Sequence, residues 1–146
     1  MMTELIRKAT QKDYTEIMRI WEASVRATHD FLDPEDIAYY KQIIPEALPQ
    51  VNLFVHEADA QLTGFMGITG DMLDMLFIDP EYRRQGIGGK LFQLALDKFN
   101  IRRVDVNEQN AQAVAFYHKQ GFQQTGRRAT DDFGKHYPIL EMSRIL

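Results

Sequence analysis

The sequence predicts an α/β fold in which one mixed β-sheet carries helices on both faces. Short apolar segments of strand length alternate with longer segments whose apolar residues recur every three or four positions, as along one side of a helix. In chain order the segments read β-α-α-β-β-β-α-β-α-β-β. The 146 residues are 45% hydrophobic and 26% charged, an ordinary globular composition. This length and composition predict a single domain over residues 1–146.

The chain begins with a predicted strand, Leu5–Arg7, followed by a helix over residues 11–26. Thr10 and Asp13 have the three-residue spacing of a capping box, which marks a helix N-terminus. Apolar residues then recur at helical spacing and are expected to form the buried stripe of this helix. They are Tyr14, Ile17, Met18, Trp21 and Val25.

A second helix is predicted to follow directly. Asp33 suits the N-cap position, and Pro34 suits the first helical position, where its missing N–H costs nothing. We expect this helix to end near Ile44, because Pro45 and Pro49 follow and proline disrupts a helix interior.

The sequence in the middle of the chain predicts a β-hairpin. Its strands are residues 51–57 and 62–69, joined by a turn at 59–61. Glycines occur within its second strand and at the end of that strand, which indicates bends or a close approach of a neighbouring backbone. They are Gly64, Gly67 and Gly70. The remaining predicted elements are a strand at 72–78, a helix at 88–99, a strand at 104–107, a helix from 111 to about 120 that ends at Gly121, and strands at 123–128 and 139–144.

The segment between strand 72–78 and helix 88–99 has the features of an anion-binding loop. The first N–H groups of a helix lack intrahelical partners and carry partial positive charge. Glycines at 86, 88 and 89 would let a phosphate approach these groups without obstruction by a side chain. Arg83, Arg84 and Lys90 add positive charge at the same end. A glycine-rich turn with a solvated basic rim is the alternative interpretation.

The spacing of this loop separates it from other phosphate-binding motifs. An ATP-binding P-loop requires Ser or Thr after Gly-Lys, and a dinucleotide fingerprint requires a third glycine, but this chain has Leu91 at that position. The pattern Arg83-x-x-Gly86-x-Gly88 after a strand instead resembles the acyl-CoA pyrophosphate loop of the GCN5-related N-acetyltransferase (GNAT) superfamily.

A second segment, Asn110 through Gly121-Phe122, resembles the other signature of this family. Asn110 offers an amide that can bind the amides of pantetheine. Tyr117, seven residues later, offers a phenol that can protonate a departing thiolate. The resemblance implies these roles for Asn110 and Tyr117, and it adds Ala113 to the cofactor contacts. As an alternative, Tyr117 is an aromatic core residue of an amphipathic helix, as we expect for Phe116.

The resemblance covers essentially the whole chain and implies the GNAT fold with acetyl-CoA as co-substrate. It implies that the main chain of Leu76, Phe77 and Ile78 pairs with pantetheine as an added strand, and that a backbone N–H there polarises the thioester carbonyl. The implied pyrophosphate contacts are Arg83, Arg84, Gln85, Gly86, Ile87, Gly88 and Gly89. The implied reaction is direct acetyl transfer to a primary amine, with Tyr117 as general acid. The absence of cysteine excludes an acyl-cysteine intermediate.

The base that deprotonates the incoming ammonium is open between several candidates. Asp105 and Asn107 lie two residues apart on one strand and share a face, and Asp105 matches a position where some family members carry a catalytic Glu. Asp74 lies among apolar residues before the glycine loop. His29, between the first two helices, has the pKa range of a base. A water chain with no single base is equally compatible with the sequence. We assign Asp105 to catalysis and His29, Asp74 and Asn107 to the acceptor substrate.

The acceptor cleft is expected between residues 27–32 and the polar loop 131–137. Acidic residues there would suit a cationic acceptor, either a small molecule or a protein amine, although a solvated acidic turn is the alternative.

A non-catalytic acyl-CoA sensor is the rival function. The net charge of −4 disfavours nucleic-acid binding. We expect no metal, because thiolate ligands are absent. We also expect no membrane segment, a cytoplasmic location, and a monomer or homodimer.

Overall fold

A computed structural model describes residues 3–144. It confirms the predicted fold class, with the elements in the predicted order and a seven-stranded mixed sheet of order β1-β2-β3-β4-β5-β7-β6. The strands are β1 (Glu4–Lys8), β2 (Asn52–Ala58), β3 (Gln61–Thr69), β4 (Met72–Ile78), β5 (Arg103–Asn107), β6 (Phe122–Arg128) and β7 (Ile139–Arg144). The helices are α1 (Tyr14–Thr28), α2 (Pro34–Ala47), α3 (Ile87–Phe99) and α4 (Ala111–Lys119).

The sheet separates two hydrophobic cores. Successive side chains of a strand point to opposite faces, and on β2 the buried Phe54 joins one core while its neighbours Leu53 and Val55 join the other. Helices α3 and α4 supply Leu91, Phe92, Ala95 and Tyr117 to the first core, whereas α1 and α2 supply Ile17, Ile20, Trp21, Ile37 and Tyr40 to the second. The helices therefore cover both faces, as the sequence predicts.

The capping residues of the first helix also anchor β1. A 3₁₀ turn, Gln11–Asp13, precedes α1, and the Asp13 carboxylate accepts the Thr10 N–H at 2.8 Å. The guanidinium of Arg7 donates to the same carboxylate at 2.8 and 2.9 Å and lowers the pKa of Asp13 to about 2. Because Arg7 lies on β1, this ion pair fixes the edge of the sheet to the start of α1.

The predicted end of the second helix is wrong by one turn. Helix α2 continues through Pro45 to Ala47. Pro45 cannot donate to the carbonyl four residues earlier, but the N–H groups after it can, and the Leu48 N–H closes the last turn on the carbonyl of Ile44. One lost hydrogen bond near a helix end is tolerated. The helix is followed by a short 3₁₀ turn, Leu48–Gln50, which contains Pro49.

The β2–β3 hairpin and the β3 glycines agree with expectation. Asp59 and Ala60 both have positive φ, 51° and 67°, as a two-residue hairpin turn of the I′ type requires. A Cβ atom on Gly64 would lie 2.7 Å from the Ile78 side chain and 3.0 Å from the carbonyl oxygen of Phe77. Glycine is therefore needed where β3 and β4 approach each other.

The feature that creates the site is the short pairing between β4 and β5. These parallel strands pair only at Met72 with Arg103 and at Leu73 with Val104. Beyond Leu73, β4 remains paired with β3, whereas β5 follows β7. The two strands therefore part in the middle of the sheet and leave a cleft between them. None of the helices in residues 3–144 has the length and hydropathy that a bilayer crossing requires.

Candidate active site

The cleft between β4 and β5 holds two cavities that share residues. The first, of about 450 Å³, is lined by the end of α1, by β4, by the glycine loop and by α4. The second, of about 220 Å³, lies between α1, α2, the diverging strands and the 131–133 loop. His29 and Phe77 line both cavities, so the cavities meet at these two side chains.

The glycine loop forms the positively charged end of the first cavity. Gly86 caps α3 with a φ of 78°, and Arg84 also has a positive φ, 63°. No heavy atom among residues 3–144 would contact a Cβ at Gly86 or Gly89, and a Cβ at Gly88 would touch only Ile78, at 3.8 Å. Packing of the protein therefore does not require glycine at 88 or 89. The open space above the first turn of α3 is the arrangement that admits an anion.

Not all of the predicted loop contacts face this space. Arg83, Arg84 and Gly88 line the cavity, whereas the Ile87 side chain is buried in the core, so only its main chain can meet a ligand. Gln85 is exposed. Lys90, expected to add charge to the loop, instead donates to both carboxylate oxygens of Glu4 at 2.7 and 2.8 Å. The side-chain charge in this cavity comes from the two arginines.

The register of β4 shows which main-chain groups face the cleft. The Asp79 N–H donates to the Thr63 carbonyl of β3 at 2.8 Å, and Phe77 is paired opposite Phe65. In an antiparallel ladder alternate residues point their N–H and C=O groups to the same edge. The main chain of Phe77 therefore points to β3, and that of Leu76 and Ile78 points to the cleft. We therefore remove Phe77 from the main-chain contacts expected for pantetheine. Only its side chain faces the cavities.

The wall of the first cavity that α4 provides is lined by Asn110, Ala113 and Tyr117. Asn110 is the N-cap of α4, and its amide oxygen accepts the Ala113 N–H at 3.3 Å. The Tyr117 ring packs against Phe92, Phe116 and Phe122. Every fully buried side-chain N or O in residues 3–144 has a hydrogen-bond partner. The Tyr117 hydroxyl has none among these residues, so it is open to the cavity. Burial raises the pKa of this phenol, which keeps it protonated at neutral pH.

Hydrogen bonds fix the tautomer of His29. The Thr28 hydroxyl donates its single proton to the Ser24 carbonyl at 2.7 Å, so it must accept from the His29 Nδ1–H, also at 2.7 Å. The Nε2 atom then carries the lone pair and lies 3.5 Å from the amide nitrogen of Asn110. Burial lowers the pKa of His29 to about 4. A neutral imidazole thus links α1 to α4 where the two cavities meet.

Asp74, Asp105 and Asn107, all candidates from the sequence, line the second cavity. Asp74 and Asp105 directly follow the last paired residues of β4 and β5. Arg128 donates to Asp105 at 2.9 Å and also binds Asp132 and Glu141. Asp74 accepts only the Thr69 hydroxyl, at 2.6 Å, among residues 3–144. Partial burial raises the pKa of Asp74, and the neighbouring Asp105 carboxylate adds to this.

The sequence does not identify the apolar wall of the second cavity or its arginine. Trp21 and Tyr40 line this cavity together with Phe133 and Arg128. The first two look like ordinary core residues of amphipathic helices, and Arg128 looks like a surface residue of an edge strand. Only the pairing of β6 with β7 and of β7 with β5 brings Arg128 to Asp105. No cluster of three or more side chains able to hold a metal ion is found among residues 3–144.

Comparison with known proteins assigns this arrangement to a family. A model of the acetyltransferase (GNAT) domain matches residues 11–142. The chain belongs to the GNAT acetyltransferase family. It is therefore an acyltransferase that moves an acetyl group to an amine. It is 44% identical over 138 residues to the peptidyl-lysine N-acetyltransferase YjaB of Salmonella typhimurium, covering 94% of this chain and 95% of that protein.

Solved structures of other GNAT proteins agree. The solution structure of apo YjaB from Escherichia coli has a TM-score of 0.90 and 40% identity, covering 98% of both chains. The PaiA N-acetyltransferase of Thermoplasma acidophilum, solved with coenzyme A, has a TM-score of 0.72 at 24% identity, over 97% of this chain and 99% of that one. This second likeness concerns the fold alone.

We expect His29 to remain a neutral Nδ1–H imidazole well below pH 6. Long-range ¹H–¹⁵N correlation spectra recorded between pH 7.5 and 5, with the His29 signals assigned from a His29→Gln variant, should show a protonated Nδ1 and an unprotonated Nε2. Because the folded pKa of about 4 lies below the ordinary 6.5, unfolding takes up a proton in this range, and stability should fall as pH drops from 6.5 towards 4. The Gln variant should lose less stability over this interval. An imidazolium signal at pH 6 would contradict the assignment.

Proposed function

We propose that this GNAT acetyltransferase transfers the acetyl group of acetyl-CoA directly to the ε-amine of a lysine in a polypeptide. The observation that carries the proposal is the pair of cavities joined at His29 and Phe77. One cavity has the basic, glycine-lined end that a pyrophosphate needs. The other combines an apolar wall with carboxylates. Two substrates of opposite charge could therefore meet at the shared wall.

The first cavity fits acetyl-CoA along its length. The α3 N-terminus, with Arg83 and Arg84, suits the pyrophosphate. The outward main chain of Leu76 and Ile78 can pair with pantetheine as an added strand. Asn110 uses its amide oxygen within α4 and directs one N–H to His29, which leaves the other N–H for a pantetheine carbonyl. Acetyl-CoA would supply the activated acetyl group at the end of this path.

The second cavity favours a lysine side chain over a protein N-terminus. Trp21 and Tyr40 provide apolar surface for a four-carbon stem, and Asp74 lies on the same cavity wall as Asp105. A protein N-terminus carries no such stem beside its amine. The S. typhimurium relative is named a peptidyl-lysine N-acetyltransferase, which supports the same acceptor class here.

In the proposed reaction the lysine nitrogen bonds to the acetyl carbonyl carbon, and the bond from that carbon to sulfur breaks. The departing thiolate takes the proton of the Tyr117 hydroxyl, and the second proton that the acylated nitrogen loses restores the phenol. The high pKa of this phenol makes it a weak acid, but the same burial also raises the proton affinity of a thiolate released beside it. The two shifts have the same direction, so burial by itself does not make this proton transfer harder.

For the ammonium proton of lysine we propose Asp74 rather than Asp105. The Asp105 carboxylate is bound by Arg128, which stabilises its charged form and weakens it as a base. Asp74 has no ion pair among residues 3–144, and its pKa is raised. Asp105 then acts by holding Arg128 at the cavity wall, and the neutral His29 orients Asn110.

The cofactor assignment predicts that Gly88→Glu abolishes tight binding of acetyl-CoA. The new carboxylate would occupy open space at the second position of α3. It should not harm folding, because an acidic residue near a helix N-terminus is favourable. Isothermal titration calorimetry should show affinity reduced by about 10- to 100-fold, the loss of one or two charge-assisted hydrogen bonds. Gln123→Glu, which adds the same charge on exposed β6, should bind normally. Equal affinity in both variants would refute the anion loop.

Tyr117→Phe tests the general acid. The ring would keep its packing against Phe92 and Phe122, so stability and acetyl-CoA affinity should hardly change. Loss of the acid should lower kcat for acetylation of a lysine peptide by about 10² to 10⁴, measured by thiol release and mass spectrometry. Tyr14→Phe, on α1 outside both cavities, is the control. Undiminished turnover would remove Tyr117 from the mechanism. Acetyl-CoA binding by the wild type without transfer to any amine would instead indicate an acyl-CoA sensor.

Asp74→Asn should lower kcat/KM for a lysine peptide by about tenfold or more, the effect of a lost charged hydrogen bond, while acetyl-CoA affinity stays constant. Asparagine can still accept the Thr69 hydroxyl, so the local structure should persist. Asp132→Asn removes another carboxylate of the cavity, one that is already bound by Arg128, and should change the rate much less. A larger loss in Asp105→Asn than in Asp74→Asn would restore Asp105 as the base.

A further inference from the structure

Two exposed aromatic residues lie together beside the second cavity, the proposed acceptor cavity, and one of them, Phe133, lines it. Among residues 3–144 three large hydrophobic side chains are exposed: Leu5 at 52%, Tyr39 at 38% and Phe133 at 46%. The rings of Tyr39 and Phe133 are neighbours, with centroids 6.4 Å apart and planes at 77°. We call these two residues the rim pair. Leu5 lies apart from them, on the edge strand β1.

The rim pair continues the apolar wall of the cavity to the surface. Trp21 and Tyr40 are buried and meet edge to face, with ring centroids 6.3 Å apart. Tyr40 in turn lies 5.7 Å from Phe133, centroid to centroid. An apolar path therefore runs from the buried part of the acceptor cavity to its opening. A lysine stem lying on the inner part would bring its own backbone to the outer part.

The exposure of Phe133 is imposed by its loop. The Asp131 carboxylate accepts the N–H groups of Phe133 and Lys135, each at 2.9 Å, and also accepts the Tyr40 hydroxyl. These bonds fasten the loop to α2. The Phe133 ring is therefore held in place while about half of it is exposed. A partner can bind its apolar surface without a further entropic cost of ordering the loop.

Charges around the rim pair restrict what can bind there. The Lys135 ammonium lies 4.6 Å from the centroid of the Tyr39 ring and 3.1 Å from the Asp36 carboxylate, so it covers part of Tyr39. On the cavity side Asp132 is 76% exposed. The surface still open is the Phe133 ring with the adjoining edge of Tyr39, next to an acidic group. An apolar side chain fits this surface.

We propose that the rim pair binds an apolar side chain adjacent to the acceptor lysine, so that the enzyme selects lysines flanked by Leu or Phe. This inference rests on the proposed lysine acetyltransferase function. It makes Tyr39 and Phe133 specificity-determining residues for the polypeptide, separate from the groups that bind the lysine amine.

The test compares acetylation of matched short peptides in which the residue on either side of one lysine is Leu, Phe, Ser or Glu. Nα-acetyl-lysine methylamide, which has no flanking residue, is included. We expect kcat/KM to be about tenfold higher for Leu- or Phe-flanked than for Ser-flanked peptides, as for partial burial of one apolar side chain. Phe133→Ser and Tyr39→Ser should reduce this ratio towards one. Leu5→Ser, which removes an equally exposed apolar residue elsewhere, should keep the wild-type ratio.

The outcomes separate this inference from the function on which it rests. If the wild type acetylates all peptides at equal kcat/KM, the proposed role of the rim pair is refuted, but the proposed lysine acetyltransferase function is not. An unchanged ratio in both Phe133→Ser and Tyr39→Ser would do the same. No acetylation of any lysine compound, with acetyl-CoA still bound, would overturn the proposed function and this inference together. Thermal melts of the three variants confirm that the ratios compare folded proteins.

Discussion

The site depends on one constraint of the sheet, the parting of β4 and β5 after two residue pairs. A sheet that stayed paired along both strands would leave no cleft and no free main-chain edge. Because β3 holds one side of β4 and β7 holds β5, both strands keep their conformation while they diverge. The edge of β4 thus remains ready to pair with a ligand. The acidic residues Asp74 and Asp105 stand at the point of divergence, and α4 covers the opposite side.

The parts of the site that the sequence predicted are those encoded in a few contiguous residues. The Gly86–Gly89 loop combines a helix start with glycines, and the Asn110-to-Tyr117 spacing places a cap and a phenol on one short helix. Such local patterns can be interpreted before the fold is known. The same is true of the hairpin turn at Asp59 and Ala60.

The remaining parts depend on partners distant in the chain. Lys90 looked available to an anion, but Glu4, 86 residues earlier, binds it. Asp105 looked like a base, but Arg128 binds it across the intervening strand β7. Tyr40 is buried in the core, and its hydroxyl also donates to Asp131, 91 residues later, beside the second cavity. In each case a long-range contact decides whether a charged or polar group is free. The end of α2 was missed for a different reason, because the hydrogen bond that Pro45 cannot make does not stop the following N–H groups from continuing the helix.

The wall shared by the two cavities also bears on the choice of acyl group. With His29 and Phe77 lining both cavities, an acyl chain longer than acetyl would extend past this wall into the cavity of about 220 Å³ that the lysine stem must occupy. Every methylene added to the donor would then take space from the acceptor. In the proposed arrangement, competition between the two substrates for this space limits the length of the acyl group. Propionyl and longer thioesters could thus be held in the cleft yet act as inhibitors of lysine binding.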